Sequence, residues 1–235
     1  MDTLQRQKLD AMKELAYGAS HEINNPLANI ATRAQSLLRD EEHPERRRAL
    51  EAIYRQAMRA HEMISDLMLF ARPPRLELDS FDLRDMVESL VNDQIDECQR
   101  RNIRLAVDAP STAVIFHGDR QQLHAAVKAV LDNAIEAVGQ DGAVEISLIQ
   151  VSSSSAGQAV KIEVSDTGPG IPAEVRRHLF DPFYSGREAG RGLGFGLSKC
   201  WRIVNDHGGT VDVDSIAENG ATFTLELPME GSGAS

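Results

Sequence analysis

Apolar and small side chains recur every three or four positions from Met12 through Leu15, Ala19, Ile23, Leu27, Ile30 and Ala34 to Leu37. This describes one face of a long helix over residues 4–39. The run Asp40-Glu41-Glu42-His43-Pro44 breaks the pattern. Residues 45–71 resume it with Leu50, Ile53, Ala57, Ala60, Ile64, Leu67 and Ala71 at alternating steps of three and four, the spacing of a coiled-coil seam. The two stretches predict a helical hairpin. Two helices with one apolar stripe each cannot enclose a core, so the pattern also predicts a homodimer whose hairpins form a four-helix bundle. Arg72-Pro73-Pro74-Arg75 then ends the helical register, because consecutive prolines remove donors and push the preceding residue out of helical space. The expected division is residues 1–75 and 76–235.

Beyond the prolines the periods alternate. Helical spacing runs from residue 82 to about 101, strand-like runs cover 103–107 and 113–117, and a helix is expected over 119–138 with Leu123, Val127, Val130, Ala134 and Val138 as its core stripe. Strands follow over 144–151 and 160–166 around a Ser-rich loop, with Val144, Ile146 and Leu148 and then Val160, Ile162 and Val164 on one face. Residues 174–180 carry a short helical pattern, a further helix ends near residue 205, and strands over 210–215 and 221–227 close the chain. In those strands Val211, Val213, Phe223, Leu225 and Leu227 face inward. The fold class is α+β: a dimerising helical hairpin followed by an α/β sandwich with one covered sheet face.

Composition narrows the functions. The chain of 235 residues carries 25 basic and 36 acidic side chains, a net charge of -11, which argues against a nucleic-acid binder or an anionic-membrane clamp. The acid is concentrated in residues 76–235, with 13 basic and 25 acidic side chains against 12 and 11 in residues 1–75. Any phosphate ligand must therefore be held by local donors. Cys98 and Cys200 share no metal-like spacing and read as packing residues. No run approaches a membrane span, and the first residues are too polar for a signal-peptide core. The expectation is a soluble, cytoplasmic chain without direct membrane insertion.

Four segments carry candidate chemistry. Asp166-Thr167-Gly168-Pro169-Gly170-Ile171-Pro172 follows a strand whose parity turns Asp166 toward the covered face, where a lone carboxylate is costly and needs a donor. A ligand amine such as that of adenine would serve; a tight turn capped by its own Asp would also account for the segment. Gly190-Arg191-Gly192-Leu193-Gly194-Phe195-Gly196-Leu197-Ser198 opens a helix, so it suits phosphate through clustered N–H groups, and equally suits a surface loop. Asn133 sits at the edge of the core stripe of the 119–138 helix, where its amide oxygen could ligate Mg²⁺. In the first helix, His21 is offset by about 200° from Ala19 and so lies off the packing stripe. Glu22 beside it can take a ring proton, Asn25 is one turn on, and Pro26 leaves the Glu22 carbonyl without its helical donor.

Together these residues resemble the bacterial sensor histidine kinases over nearly the whole chain. His21-Glu22-Ile23-Asn24-Asn25-Pro26-Leu27 is similar to the H-box of the dimerisation and histidine-phosphotransfer domain, in the subgroup of nitrogen-regulation sensor kinases. Asp132-Asn133-Ala134-Ile135-Glu136-Ala137 resembles the N-box, Asp166-Thr167-Gly168-Pro169-Gly170-Ile171 the G1 box, Leu179-Phe180-Asp181-Pro182-Phe183-Tyr184 the F-box, and Gly192-Leu193-Gly194-Phe195-Gly196-Leu197 the G2 box. The order of five boxes after a hairpin is far more specific than any one of them. The resemblance implies an ATP-dependent kinase that phosphorylates His21 and passes the phosphoryl group to an aspartate of a response-regulator receiver domain. It implies that Glu22 is the base, that Asn25 positions water for dephosphorylating the regulator, and that Asn133 holds Mg²⁺. ATP would then be contacted by Asp166, Gly168, Gly170, Phe183, Arg187, Arg191, Gly192, Gly194, Gly196, Leu197 and Thr222.

The chain departs from the family pattern at Ala129, one turn before Asn133, where the kinases commonly carry Asn and the related gyrase, mismatch-repair and chaperone ATPases carry a water-activating Glu. Ala129 disfavours a hydrolase. Arg191 and Phe195 also depart from the usual G2 residues. Competing readings are a catalytically degenerate dimeric scaffold that binds nucleotide, and an ATPase clamp. The start of the chain close to the H-box leads to the expectation that its sensor is either a separate protein or an absent part of a longer polypeptide.

Overall fold

The fold is given by a computed structural model that describes residues 3–71, 75–153, 157–181, 196–216 and 218–229. The chain divides into two compact units that part between Pro74 and Arg75.

The first unit is an antiparallel hairpin of α1 (Thr3–Asp40) and α2 (Pro44–Ala71). Pro44 opens α2, where its missing N–H costs nothing. Arg47 closes the turn: its Nη1 donates to the carbonyls of Leu38 and Glu41 at 3.4 and 3.5 Å, which are orphaned at the end of α1. Small residues form the buried contact between the helices, with Ala31, Ala34 and Ala57 each under one-tenth exposed. Bulky apolar residues of the predicted stripes, Ile23, Ile30, Leu37 and Ile53, instead remain 41–60% exposed within the hairpin. The α1 helix continues through Pro26.

The second unit is a layer of helices on one face of a sheet. β1 (Asp79–Asp82) leads into α3 (Leu83–Arg100), followed by β2 (Arg104–Asp108), β3 (Ile115–Gly118), α4 (Arg120–Val138), β4 (Ala143–Ser153) and β5 (Gly157–Asp166). The short α5 (Ala173–Arg176), α6 (Gly196–Asp206), β6 (Thr210–Ser215) and β7 (Ala221–Pro228) complete it. The main sheet has the order β2-β4-β5-β7-β6, parallel only between β2 and β4. Its inward residues alternate as the period of two requires: Val144, Ile146, Leu148, Val160, Ile162, Val164, Phe223, Leu225 and Leu227 are buried under α3, α4 and α6. Leu123, Val127, Val130 and Ala134 of α4 fill the same core. Each fully buried Leu, Ile or Phe contributes roughly 1.5–3 kcal/mol by leaving water. Cys98 and Cys200 are packing residues here, and burial pushes the Cys200 thiol up to about 12.

Three elements differ from the sequence pattern. β3 leaves the main sheet and pairs with β1, a strand that periodicity does not announce, to form a two-stranded sheet tied by the edge-to-face pair Phe81 and Phe116. The helix expected over 174–180 shortens to α5, which buries no side chain and whose N-cap position, Pro172, makes no side-chain cap bond. The Ser-rich loop contracts, since β4 and β5 pair out to Ser153 and Gly157.

Asp119 fastens the unit together. As the N-cap of α4, its Oδ1 accepts the Gln122 N–H at 3.0 Å, while Oδ2 accepts Gln122 Nε2 and the Glu77 N–H at 3.0 and 3.1 Å. The backbone N–H of Asp119 donates to His207 Nε2 at 3.0 Å. His207 Nδ1 must then carry the proton, which it donates to the Ile203 carbonyl of α6 at 2.8 Å. Burial works against the Asp119 charge, but the N–H groups of Gln122 and Glu77 outweigh it and hold the carboxyl below the usual Asp range. Its contribution to stability is therefore complete above the ordinary Asp range and is lost as pH falls through the lowered value. Replacing Asp119→Ala is expected to cost about 1–2 kcal/mol at neutral pH. Urea denaturation of both proteins should show that gap near pH 7, narrowing as the medium is acidified.

Candidate functional site

The alternation of β5 ends on Asp166, which places its carboxylate on the covered face at 8% exposure. Two backbone donors meet it: the Gly168 N–H reaches Oδ1 at 2.8 Å, and the Ala221 N–H donates from the paired strand β7. Burial raises the Asp166 pKa, and the two N–H groups oppose that shift without cancelling it. A carboxylate has about four acceptor positions. Two donors therefore leave capacity for a ligand N–H, and a buried anion gains much from receiving one.

The loop after Asp166 runs against the C-terminal half of α4. A Cβ placed on Gly168 would lie 3.0 Å from the carbonyl carbon of Ala137. At the other end of the same helical face, a Cβ on Gly196 would lie 3.9 Å from Ala129. Asn133 is midway between Ala129 and Ala137 at steps of four, so the structure brings together the Asp166 loop, the Asn133 turn and the first residue of α6. Asn133 is half-buried. Its neighbour Asp132 is committed elsewhere, pairing with Lys128 at 2.5 Å and accepting from Gln94 at 3.0 Å. α6 is described from Gly196 onward, and the start of a helix, with its free N–H groups and positive dipole end, favours an anion. Leu197 packs against the hydrophobic core and helps seat that helix end.

The structure does not bring Thr222 to this cluster. Strand parity puts Ala221 on the Asp166 side and Thr222 on the opposite face, where its Oγ1 lies 2.9 Å from Ser165 Oγ. The correction has a simple cause: a one-residue shift along a strand reverses the face. The functional group that parity assigns to this end of β7 is instead the Ala221 N–H, which residue type alone conceals. Phe183, Arg187, Arg191, Gly192 and Gly194 lie outside the described residues.

On the first unit, His21 lies on α1 and its side chain is outside the described set. Glu22 and Asn25, three residues apart on one side of the helix, are both exposed.

An adenine nucleotide fits these residues. The spare acceptor capacity of Asp166 suits an exocyclic amine, and the first turn of α6 suits phosphate. A metal would find one amide oxygen at Asn133, and among the described residues there is no cluster of three or more His, Cys, Asp or Glu. That donor set suits Mg²⁺ carried mainly by phosphates and water rather than a resident metal cage.

Comparison with known proteins gives a family. Residues 11–75 match the family model "His Kinase A (phospho-acceptor) domain", and residues 118–231 match "Histidine kinase-, DNA gyrase B-, and HSP90-like ATPase". The chain is 33% identical over 225 residues to the sensor histidine kinase ZraS of Escherichia coli (strain K12), covering 95% of this chain and 47% of ZraS. The chain thus spans about half the length of that relative. Among solved structures, full-length ShkA in complex with AMPPNP aligns with a TM-score of 0.77 at 23% identity, over 94% of this chain and 47% of that one. Histidine kinase ThkA in complex with the response regulator protein TrrA aligns with a TM-score of 0.67 at 23% identity, over 97% and 65%. These two likenesses are likenesses of fold. A phospho-acceptor region followed by an ATPase-type region, with sequence similarity running through both, makes this chain a member of the sensor histidine kinase family.

Proposed function

We propose that the chain transfers the γ-phosphoryl group of ATP to His21 and passes it to an aspartate of a response-regulator receiver domain. The observation that carries the reading is Asp166, a nearly buried carboxylate with a raised pKa and unused acceptor capacity beside the Asn133 turn and the start of α6. Residues 1–75 serve as the dimerisation and phosphotransfer region and residues 76–235 as the catalytic ATP-binding region. Family membership and domain order support this division.

Each residue has a definite task in this scheme. Asp166 receives the adenine amine, and the loop through Gly168 and Gly170 follows the base. Asn133 offers its amide oxygen to Mg²⁺, and Gly196 presents the N-terminal end of α6 to the phosphates. Mg²⁺ supplies charge neutralisation along those phosphates, leaving the protein to position and orient. On α1, Glu22 takes the ring proton of His21, so that an imidazole nitrogen forms the bond to phosphorus as the bond to ADP breaks. Asn25, exposed one turn on, orients water when the phosphorylated regulator is hydrolysed. Arg187 and Arg191 add positive charge at the phosphates, and Phe183, Gly192 and Gly194 are the further residues that the family resemblance assigns to ATP.

The same reading explains the hairpin surface. Ile23, Ile30, Leu37 and Ile53 expose apolar area that a second hairpin would cover, and the four helices would then enclose a core. Among the described residues, no helix is long and apolar enough to cross a membrane. We place the activity in the cytoplasm.

Incubating the purified chain with γ-labelled MgATP should give an acid-labile, alkali-stable label that His21→Gln abolishes. Label surviving in His21→Gln would name another acceptor. Asp166→Asn should weaken ATP binding by about 10-fold or more, the value of a hydrogen bond to a charged group, as measured by calorimetric titration. Ile30→Asp should shift the chain from dimer to monomer in sedimentation equilibrium, raising the dissociation constant by at least about 100-fold, because each subunit would bury a charge. A dimer of unchanged strength would place the interface elsewhere.

A further inference from the structure

The loop that follows Asp166 is held from behind by the β6–β7 turn. The Ile171 N–H donates to Ser215 Oγ at 2.8 Å, and the same hydroxyl donates to the Gly220 carbonyl at 2.9 Å. The Glu218 N–H donates to the Pro169 carbonyl at 2.8 Å. The two backbones touch: a Cβ on Gly170 would stand 2.4 Å from the Ile216 carbonyl oxygen, and one on Gly220 would stand 1.8 Å from that of Asp166. Both glycines have positive φ, at 72° and 81°, so neither position accepts another residue without strain.

The Ser215 hydroxyl occupies a special point in this contact. Gly220 C=O and Ala221 N–H are the two ends of one peptide unit, and that N–H is one of the two donors to the Asp166 carboxylate. The other donor, Gly168 N–H, belongs to the loop that Ser215 holds through Ile171. One hydroxyl therefore orients both arms that grip Asp166. By donating to the Gly220 carbonyl it also polarises the peptide whose N–H faces the carboxylate, so the bonds reinforce one another.

We infer that Ser215 is a positioning residue of the nucleotide site: it sets the Asp166 carboxylate for reading the adenine amine without itself touching ATP. This rests on the assignment of Asp166 to adenine. Guanine presents a carbonyl where adenine presents its amine, so a fixed carboxylate rejects GTP, and a loosened one discriminates less. Ser215 should therefore act on nucleotide affinity and base selectivity more than on the rate at saturation.

The test compares Ser215→Ala, Ser215→Cys and Ser215→Thr in the full chain, with Asp166→Asn beside them. ATP and GTP are titrated with Mg²⁺, autophosphorylation is followed against ATP concentration, and urea midpoints are measured without nucleotide. Ser215→Ala should raise the KM for ATP about 5- to 20-fold, the range for losing one or two buried hydrogen bonds. Its rate at saturation should fall less than twofold, and the preference for ATP over GTP should narrow. Ser215→Thr keeps the hydroxyl and should restore both readouts, whereas Ser215→Cys, of similar shape but a weaker partner, should fall between. If Ser215→Ala fails to fold, the Cys and Thr variants carry the comparison. Selectivity and KM equal to wild type in Ser215→Ala or Ser215→Cys, while Asp166→Asn loses affinity, would overturn the role of Ser215 alone. Loss of urea stability that tracks the loss of binding and that Ser215→Thr does not relieve would overturn it too. Unchanged ATP affinity in Asp166→Asn would instead remove the assignment of Asp166 on which it rests.

Discussion

A carboxylate at the end of a covered β-strand dictates much of what surrounds it. Asp166 cannot remain charged against a core of Val164, Ile162 and Phe223 unless donors reach it, and the nearest available donors are backbone N–H groups. One comes from its own chain two residues later, which demands a tight turn. The other comes from Ala221, which demands that β7 lie beside β5 in a fixed register. The strand order, the sharp loop and the contact with the β6–β7 turn all serve that arrangement. What the protein gains is an anion held in place with spare acceptor capacity, a poor investment for stability alone and a good one for recognising an amine.

The hairpin follows a different logic. Its helices meet through alanines, which allow close approach but bury little area, and so the larger side chains are left half exposed. Such a unit is an incomplete core by itself. The second unit, by contrast, closes its own core, with Leu83, Met86, Leu90, Leu123, Ile146, Ile162, Phe223, Leu225 and Leu227 all essentially out of water. One chain thus combines a module whose apolar stripe is left open with one that closes its own core.

Most of the fold was legible because both periodicities are long. About seven turns of repeated apolar steps define α1 and about six define α2, and strict alternation over β4, β5 and β7 both assigns the strands and turns Asp166 inward. What escaped had no local signal. β1 has Phe81 as its one apolar side chain and exists because β3 pairs with it, and a lone Ser at the end of β6 carries no pattern. Within the hairpin, spacing marked a stripe but could not separate the alanines that are buried from the isoleucines that stay exposed. Thr222 shows the reverse failure: residue type and motif position suggested a ligand contact, and parity, which was available in the sequence, placed it on the far face beside Ser165. The glycine-rich boxes were legible as motifs, whereas their joining across α4 at Ala129 and Ala137 needed three dimensions.

The sheet order has a consequence for how the molecule is made. β7, made after the other four strands of its sheet, lies between β5 and β6 rather than at an edge. Until it inserts, β5 has one open side, Asp166 lacks the Ala221 donor, and Ser215 has no Gly220 carbonyl to bind. The Asp166 site is therefore completed by the last-made strand of its own sheet, and a polypeptide broken off before β7 cannot own a finished one. Insertion of β7 is in this sense a structural precondition for a finished site, written into the topology rather than imposed by another protein.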